Sequence, residues 1–268
     1  MSFAEATSFL FVPANRPDRF DKAMKSGAGA VILDLEDAVP ATDKYTARLN
    51  IAQFQPREKN TIIRINGLHT PWYEQDLRLC EELGSAGIMV PKAESAASLQ
   101  EISSRFKTPI AIFPLIETAS GMANANLIAQ VGNVERLVFG TIDFGLELNI
   151  PDENEGLLYF RSQLVLASRL AGLSGPIDGI TTDLRNPDAV ERDTARSKRL
   201  GFSGKLCIHP SQVPIVNQGF TPTDKELEWA QQIVQFASSG AATVFDGHMV
   251  DRPVLLRAQR ILKQAGRS

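Results

Sequence analysis

Two carboxylates close hydrophobic runs: Glu117 ends IAIFPLIE and Asp143 ends LVFGTID. If those runs are neighbouring strands they lie ~4.8 Å apart, and acids at matching heights approach within a few ångströms. Like charges that close repel unless a proton or a cation intervenes. A hard divalent ion such as Mg²⁺ meets that need, because it takes one or two protein carboxylates and fills its shell with water and substrate oxygens. The same acids would also serve as caps of the helices that follow, where the helix dipole favours negative charge.

Other residues point to the same kind of mouth. Asp34-Leu35-Glu36-Asp37 gathers three acids at one strand end, and alternation puts Asp34 and Glu36 on one face. That much charge either holds an arginine and orders water around a metal, or belongs to a solvated loop. Arg64, inside IIRIN, is seldom buried without a partner. It is expected to pair with Glu36 or Asp37, or to face a substrate oxyanion. Lys92 in MVPKAE invites an imine mechanism, which needs a deprotonated amine, but acidic neighbours would hold it protonated. His69, His209 and His248 lack metal-ligand spacing, and His209 before Pro210 reads as structural. No G-x-S-x-G, P-loop or G-x-G-x-x-G motif occurs. Asp251 precedes a helical pattern (Val254, Leu255, Ala258, Ile261, Leu262) and by position alone is an N-cap.

The elements that must carry these residues repeat along the chain. Near-continuous apolar runs occupy Ser8–Ala14, Ala30–Glu36, Thr61–Asn66, Gly87–Lys92, Pro109–Glu117, Arg136–Asp143, Pro176–Ile180 and Lys205–Pro210. Runs of that kind fit strands buried on both faces of a parallel sheet. The polar residues near their ends (Asn15, Glu36, Arg64, Lys92, Glu117, Asp143, Asp178 and His209) fall 21 to 35 residues apart, one strand-plus-helix unit per step. Eight units predict a (β/α)8 TIM barrel, whose active site lies at the C-terminal strand ends. Asn186-Pro187 predicts a helix start and Gly201 its end, while Thr223 with Glu226 predicts a capping box. The expected barrel core is 1–221. Residues 222–268 are expected to form a C-terminal helical extension, a lid or oligomer arm and not an independent domain. Its helices near 223–239 and 252–265 flank turn-like Ser238–Gly240 and Phe245–Gly247.

Composition narrows the function classes. Across 268 residues, 28 basic side chains meet 31 acidic ones, a net charge of −3, so nothing announces a nucleic-acid or anionic-membrane partner. Cys80 and Cys207 sit in apolar strings and are expected to be reduced core residues. No apolar run approaches the ~20 residues of a spanning helix, and the N-terminus has no leader pattern. A soluble, cytoplasmic protein is expected.

Eight motifs in order (SFLFVPANRP, VILDLEDAV, RINGLHTPW, VPKAES, PLIETASG, FGTIDFG, GFSGKLCIHPSQV and DGHMVDRPVL) resemble the citrate lyase β-subunit-like branch of the HpcH/HpaI aldolase family over nearly the whole chain. The resemblance implies a TIM barrel, a homotrimer or dimer of trimers, with Mg²⁺ as cofactor. It also implies cleavage of a 3-hydroxyacyl thioester of the citramalyl, malyl or citryl type, carried on coenzyme A or an acyl-carrier protein. Glu117 and Asp143 match the metal-ligand positions, and Arg64 and Glu117 the substrate contacts. Glu36 and Asp37 match the acidic pair that supports the arginine and metal-bound water. Asp251 matches a catalytic aspartate delivered by a neighbouring subunit. Thr7 departs from the pattern, standing where related sequences often carry arginine. Two other functions compete: a metal-dependent aldolase acting on free hydroxy-oxo acids, and a non-catalytic acyl-CoA-binding subunit.

Overall fold

The computed structural model describes residues 2–55, 60–151, 154–238, 244–245 and 248–266, which fall into two compact units, Met1–Asn217 and Gln218–Ser268. In the first, eight strands pair in parallel and in sequence order into a closed barrel: β1 (Ser8–Pro13), β2 (Ala30–Asp34), β3 (Thr61–Arg64), β4 (Gly87–Val90), β5 (Ala111–Ile116), β6 (Val138–Phe139), β7 (Ile177–Asp178) and β8 (Gly204–Cys207). The intervening helices are α1 (Phe20–Met24), α2 (Lys44–Phe54), α3 (Tyr73–Leu83), α4 (Ala96–Arg105), α5 (Ala119–Ala123), α6 (Ala125–Ala129), α7 (Thr141–Glu147), α8 (Leu158–Leu170), α9 (Pro187–Leu200) and α10 (Gln212–Phe220).

One apolar cluster draws on every strand: Phe9, Ile32, Ile62, Met89, Phe113, Val138, Ile177 and Leu206 fill the barrel. This explains why the runs read as continuously apolar, since the alternate residues are buried against helices. Arg136 closes the N-terminal end. Fully buried, it donates to the carbonyls of Ala6 (2.6 Å) and Gly175 (2.9 Å) and to Ser203 Oγ (2.9 Å), with its guanidinium over the Phe9 ring.

Each strand ends before its apolar run does, and two fall far short of it. Within Arg136–Asp143 only Val138–Phe139 is strand; Gly140 donates to Ile116 O at 3.0 Å and the chain then turns into α7. Within Pro176–Ile180 only Ile177–Asp178 is strand. Asp178 does not reach the mouth. It is fully buried against Arg161 (3.1 Å) and accepts from Ser197 Oγ (2.6 Å), tying β7 to α8 and α9. The expected start and stop signals of α9 are present, with Asn186 Oδ1 accepting from Ala189 N at 3.2 Å and Gly201 ending the helix at φ +97°.

The second unit holds α11 (Asp224–Ser238) and α12 (Arg252–Gln264), which bury Leu227, Ala230, Ile233, Ala258 and Ile261 together. The Thr223–Glu226 capping box forms in both directions, at 2.8 and 3.2 Å. Between the helices β9 (Val244–Phe245) pairs antiparallel with β10 (His248–Met249). Phe245, expected in a turn, is therefore strand. Residues 239–240 and 246–247 of the two expected turns lie outside the described residues.

Candidate active site

The C-terminal ends of β2 to β6 carry the charged residues. Asp34 and Arg64 are direct partners in the β2–β3 register. Arg64 Nε and Nη2 each donate to Asp34 at 2.6 Å, a bidentate pair in which Asp34 is 1% exposed. Arg64 Nη1 sits 2.9 Å from Glu36 Oε2 and 3.9 Å from Asp37, and the guanidinium lies over the Phe11 ring. The expected pairing with Glu36 is present. The principal partner, however, is Asp34, because the residue opposite Arg64 on the next strand is the one its fork can meet squarely. Burial alone would depress the Arg64 pKa, but Asp34, Glu36 and Asp37 more than offset it and raise it above the ordinary arginine value.

Lys44 from α2 holds this corner from behind. Its buried ammonium donates to Leu35 O (2.6 Å), Glu36 O (2.8 Å) and Asn66 Oδ1 (2.6 Å). Asn66 in turn gives its backbone N–H (2.8 Å) and its side-chain amide (2.6 Å) to Asp76 on α3. Sequence reasoning missed Lys44, Asn66 and Asp76. Their spacing of 22 and 10 residues carries no periodic signal, and only the fold makes them neighbours.

Glu117 follows β5 directly and is 3% exposed. Its Oε1 accepts from the backbone N–H of Lys92 at 2.8 Å. Burial first, then the charge of Glu36, pushes its carboxyl up to about 8, with Asp143 adding to the rise and Lys92 opposing it. Burial likewise raises Glu36 to about 7, against the pull of Arg64. Asp143 does not end a strand as expected. It sits in the first turn of α7, partly buried, where the helix dipole favours an acid. The fold nevertheless brings the two acids within electrostatic reach of each other, and both act on Lys92. Burial lowers the Lys92 pKa, but Glu117, Glu36, Asp37 and Asp143 outweigh it and hold it above the ordinary lysine value. That field works against imine chemistry.

These residues fit a hard divalent cation on three counts. The donors are carboxylate oxygens, the kind Mg²⁺ prefers. Glu117 is a buried acid whose raised pKa reports too little positive charge around it. A glycine also sets where that carboxylate lies: a Cβ on Gly140 would fall 2.7 Å from Glu117 Oε2 and 2.5 Å from Glu117 Cβ, so only bare backbone admits the side chain there. Among the described residues no three His, Cys, Asp or Glu side chains form a metal-binding group. Glu117 and Asp143 would hold the ion.

Asp251, in the second unit, caps α12: its Oδ1 accepts from Val254 N at 3.1 Å, and the residue is exposed. His209 is exposed, with Nδ1 2.7 Å from Ser211 Oγ. Cys80 and Cys207 are buried free thiols.

Residues 7–210 match the family model described as HpcH/HpaI aldolase/citrate lyase, and residues 169–267 match that of a C-C bond lyase of the TIM-barrel fold. The chain is 36% identical to the citrate lyase subunit beta-like protein of Deinococcus radiodurans, over 95% of each chain. It is 32% identical to the L-malyl-CoA/beta-methylmalyl-CoA lyase of Cereibacter sphaeroides, over 96% of this chain and 93% of that one. Its fold superposes with a TM-score of 0.88 on the crystal structure of CitE from Mycobacterium tuberculosis in complex with magnesium, acetoacetate and coenzyme A, at 32% identity, covering 98% of this chain and 99% of that one. With its eight-stranded barrel and its acid-rich mouth, the chain belongs to the HpcH/HpaI aldolase/citrate lyase family and is a carbon–carbon lyase of the TIM-barrel fold.

Proposed function

We propose that the protein cleaves a 3-hydroxyacyl thioester of the citramalyl-, malyl- or citryl-CoA type by Mg²⁺-dependent retro-Claisen chemistry, giving acetyl-CoA and a 2-oxo acid. The observation that carries this reading is the pairing, at one barrel mouth, of a buried underneutralised acid (Glu117, beside Asp143) with an arginine clamped by Asp34 and Glu36. Support also comes from relatives named as acyl-CoA lyases and from the magnesium and coenzyme A held by the CitE structure.

Glu117 and Asp143 would hold the ion, which when bound supplies Lewis acidity toward the hydroxyl and carboxylate oxygens of the substrate. In the reaction the substrate hydroxyl loses its proton and the bond between its carbon and the carbon α to the thioester breaks. The electron pair passes to the thioester as an enolate, and its α carbon then takes a proton. Arg64, fixed on Asp34 and Glu36, presents guanidinium N–H groups where negative charge grows; a preorganised donor of this kind is worth about 10²–10³ in rate. Glu36 and Asp37 keep that arginine and the water near it in place. Asp251, brought by a neighbouring copy, takes the proton from the hydroxyl and returns it to the α carbon, a role worth about 10²–10⁴. A cap engages one carboxylate oxygen and leaves the other for proton transfer.

Such a copy implies a homotrimer or a dimer of trimers. In its support, α6 to α8 expose Leu127, Leu146, Leu158, Tyr159, Leu166 and Leu170, apolar side chains that a neighbouring copy would cover. A cytoplasmic setting agrees with the two buried free thiols. No helix among the described residues is long and apolar enough to cross a membrane.

A panel of citramalyl-, malyl- and citryl-CoA, assayed with Mg²⁺ and again with EDTA, tests the reading. Cleavage of at least one thioester in Mg²⁺, lost in EDTA, is expected. Full activity in EDTA, or no cleavage of any of the three, would overturn it.

A further inference from the structure

The mouth has two cations, and they are built differently. Arg64 is walled in: three of its N–H directions face Asp34 and Glu36, and only 11% of its side chain is exposed. Lys92 is reachable, with half of its side chain exposed and its ammonium 3.7 Å from Glu36 Oε1. At that distance the contact is a pairing of charges and not a hydrogen bond, so the donors of the ammonium remain available to a third party.

The backbone shows that this placement is imposed. Lys92 has φ +47°, in the left-handed region that a non-glycine residue adopts only where its surroundings compel it. The compulsion is visible on both sides. The Lys92 N–H is spent on Glu117 Oε1 (2.8 Å), and the next residue, Ala93, donates to Leu115 O at 3.1 Å. Ala93 O is packed so closely on Gly121 that a Cβ there would fall 2.5 Å away, and Asn124 Nδ2 clamps Glu94 O at 2.8 Å. One strained residue thus steadies the buried acid through its amide, while its half-exposed side chain sets an ammonium 3.7 Å from Glu36.

We propose that Lys92 is a substrate-binding residue whose ammonium takes an anionic oxygen of a short 2-oxo or hydroxy carboxylate seated beside Glu117 and Asp143. This rests on the lyase reading and names a contact that reading leaves unfilled. An anion entering a mouth rimmed by Asp34, Glu36, Asp37, Glu117 and Asp143 gains from a second cation: Arg64, fixed on its own acids, has only its remaining N–H groups to offer, whereas Lys92 can turn toward the anion. Lysine suits the task as a compact charge on a flexible stem.

The test is calorimetric titration of the whole protein and of its Lys92→Met and Lys92→Arg variants, first with Mg²⁺, then with pyruvate added to the Mg²⁺-saturated protein. Methionine keeps the apolar stem of the half-exposed side chain, so the fold is retained. Lys92→Met is expected to bind Mg²⁺ at least as tightly as wild type, since a repelling charge has gone, and to bind pyruvate about tenfold or more weakly. Lys92→Arg is expected to bind pyruvate within about threefold of wild type, because it keeps the charge. Unchanged pyruvate binding in Lys92→Met, loss of Mg²⁺ binding in that variant, or borohydride trapping of pyruvate on Lys92 would each overturn the proposal. Wild-type protein that binds no Mg²⁺ would instead take down the lyase reading, and this one with it.

Discussion

At the scale of single residues the mouth is organised around charges that are buried and unequal. Asp34 and Arg64 satisfy each other through two 2.6 Å hydrogen bonds, so each is stable inside only while the other is there. Asp34→Asn removes the countercharge and leaves Arg64 on Glu36 and Asp37 alone. The expected result is a loss of about 3 kcal/mol in urea unfolding and a fall in kcat larger than the change in Mg²⁺ affinity, since Asp34 does not touch the proposed ligands. Glu117 is the opposite case, an acid with too little compensation. With its carboxyl pushed up to about 8, the metal-free protein carries the proton at neutral pH, and Mg²⁺ must expel it. Mg²⁺ affinity is therefore expected to rise by up to about tenfold per pH unit from 6 to 8 and to level off above that, as measured by calorimetry in several buffers. The same raised value has a stability sign. A group that binds its proton more tightly when folded stabilises the metal-free protein at low pH, and that contribution is lost as pH rises through about 8.

At the scale of elements, most of the barrel was legible in the sequence and the supports of the site were not. Every barrel strand lies in a run that reads as continuously apolar, apart from Gly204 just ahead of the last one, because such a strand is buried on both faces. The ends of α9 and the start of α11 were legible because a cap is a local device of three or four residues. Lys44, Asn66 and Asp76 were not, because their bonds join three elements and no local rule couples them. Asp34 stood in plain view but was read as one of a run of acids. Only the register of β2 against β3 selects it over Glu36 as the main partner of Arg64. Gly140 is the instructive failure. It lies inside the run Arg136–Asp143 expected as strand, whereas it is the turn into α7 and the bare backbone against which Glu117 packs. Gly140→Ala would set a methyl group 2.7 Å from Glu117 Oε2, and the crowded carboxylate must shift. The variant is expected to fold, to bind Mg²⁺ about tenfold or more weakly, and to lose activity that excess Mg²⁺ partly restores. Unaltered Mg²⁺ affinity by calorimetry would show that the Glu117 carboxylate does not hold the ion.

At the scale of the whole molecule, the site residues divide between the two compact units. Glu36, Arg64, Lys92, Glu117 and Asp143 belong to Met1–Asn217, and Asp251 belongs to Gln218–Ser268. The second unit has its own small core between α11 and α12, so Asp251 is held by a rigid cap and not by a loose tail. If a neighbouring copy delivers that aspartate, the catalytic unit is a pair of chains, and two different defects can repair each other. Glu117→Gln and Asp251→Asn are each expected to be nearly inactive alone, with Asp251→Asn retaining wild-type Mg²⁺ affinity. Dissociated, mixed in equal amounts and reassembled, they would form heteromers in which about a quarter of the mouths combine an intact Glu117 with an intact Asp251 from the next chain. Activity recovered to roughly that fraction of wild type would show delivery between chains. Recovery of none, with mixed oligomers verified by mass spectrometry, would place the acid within the chain that binds the metal. High activity in Asp251→Asn by itself would leave it as the cap it visibly is.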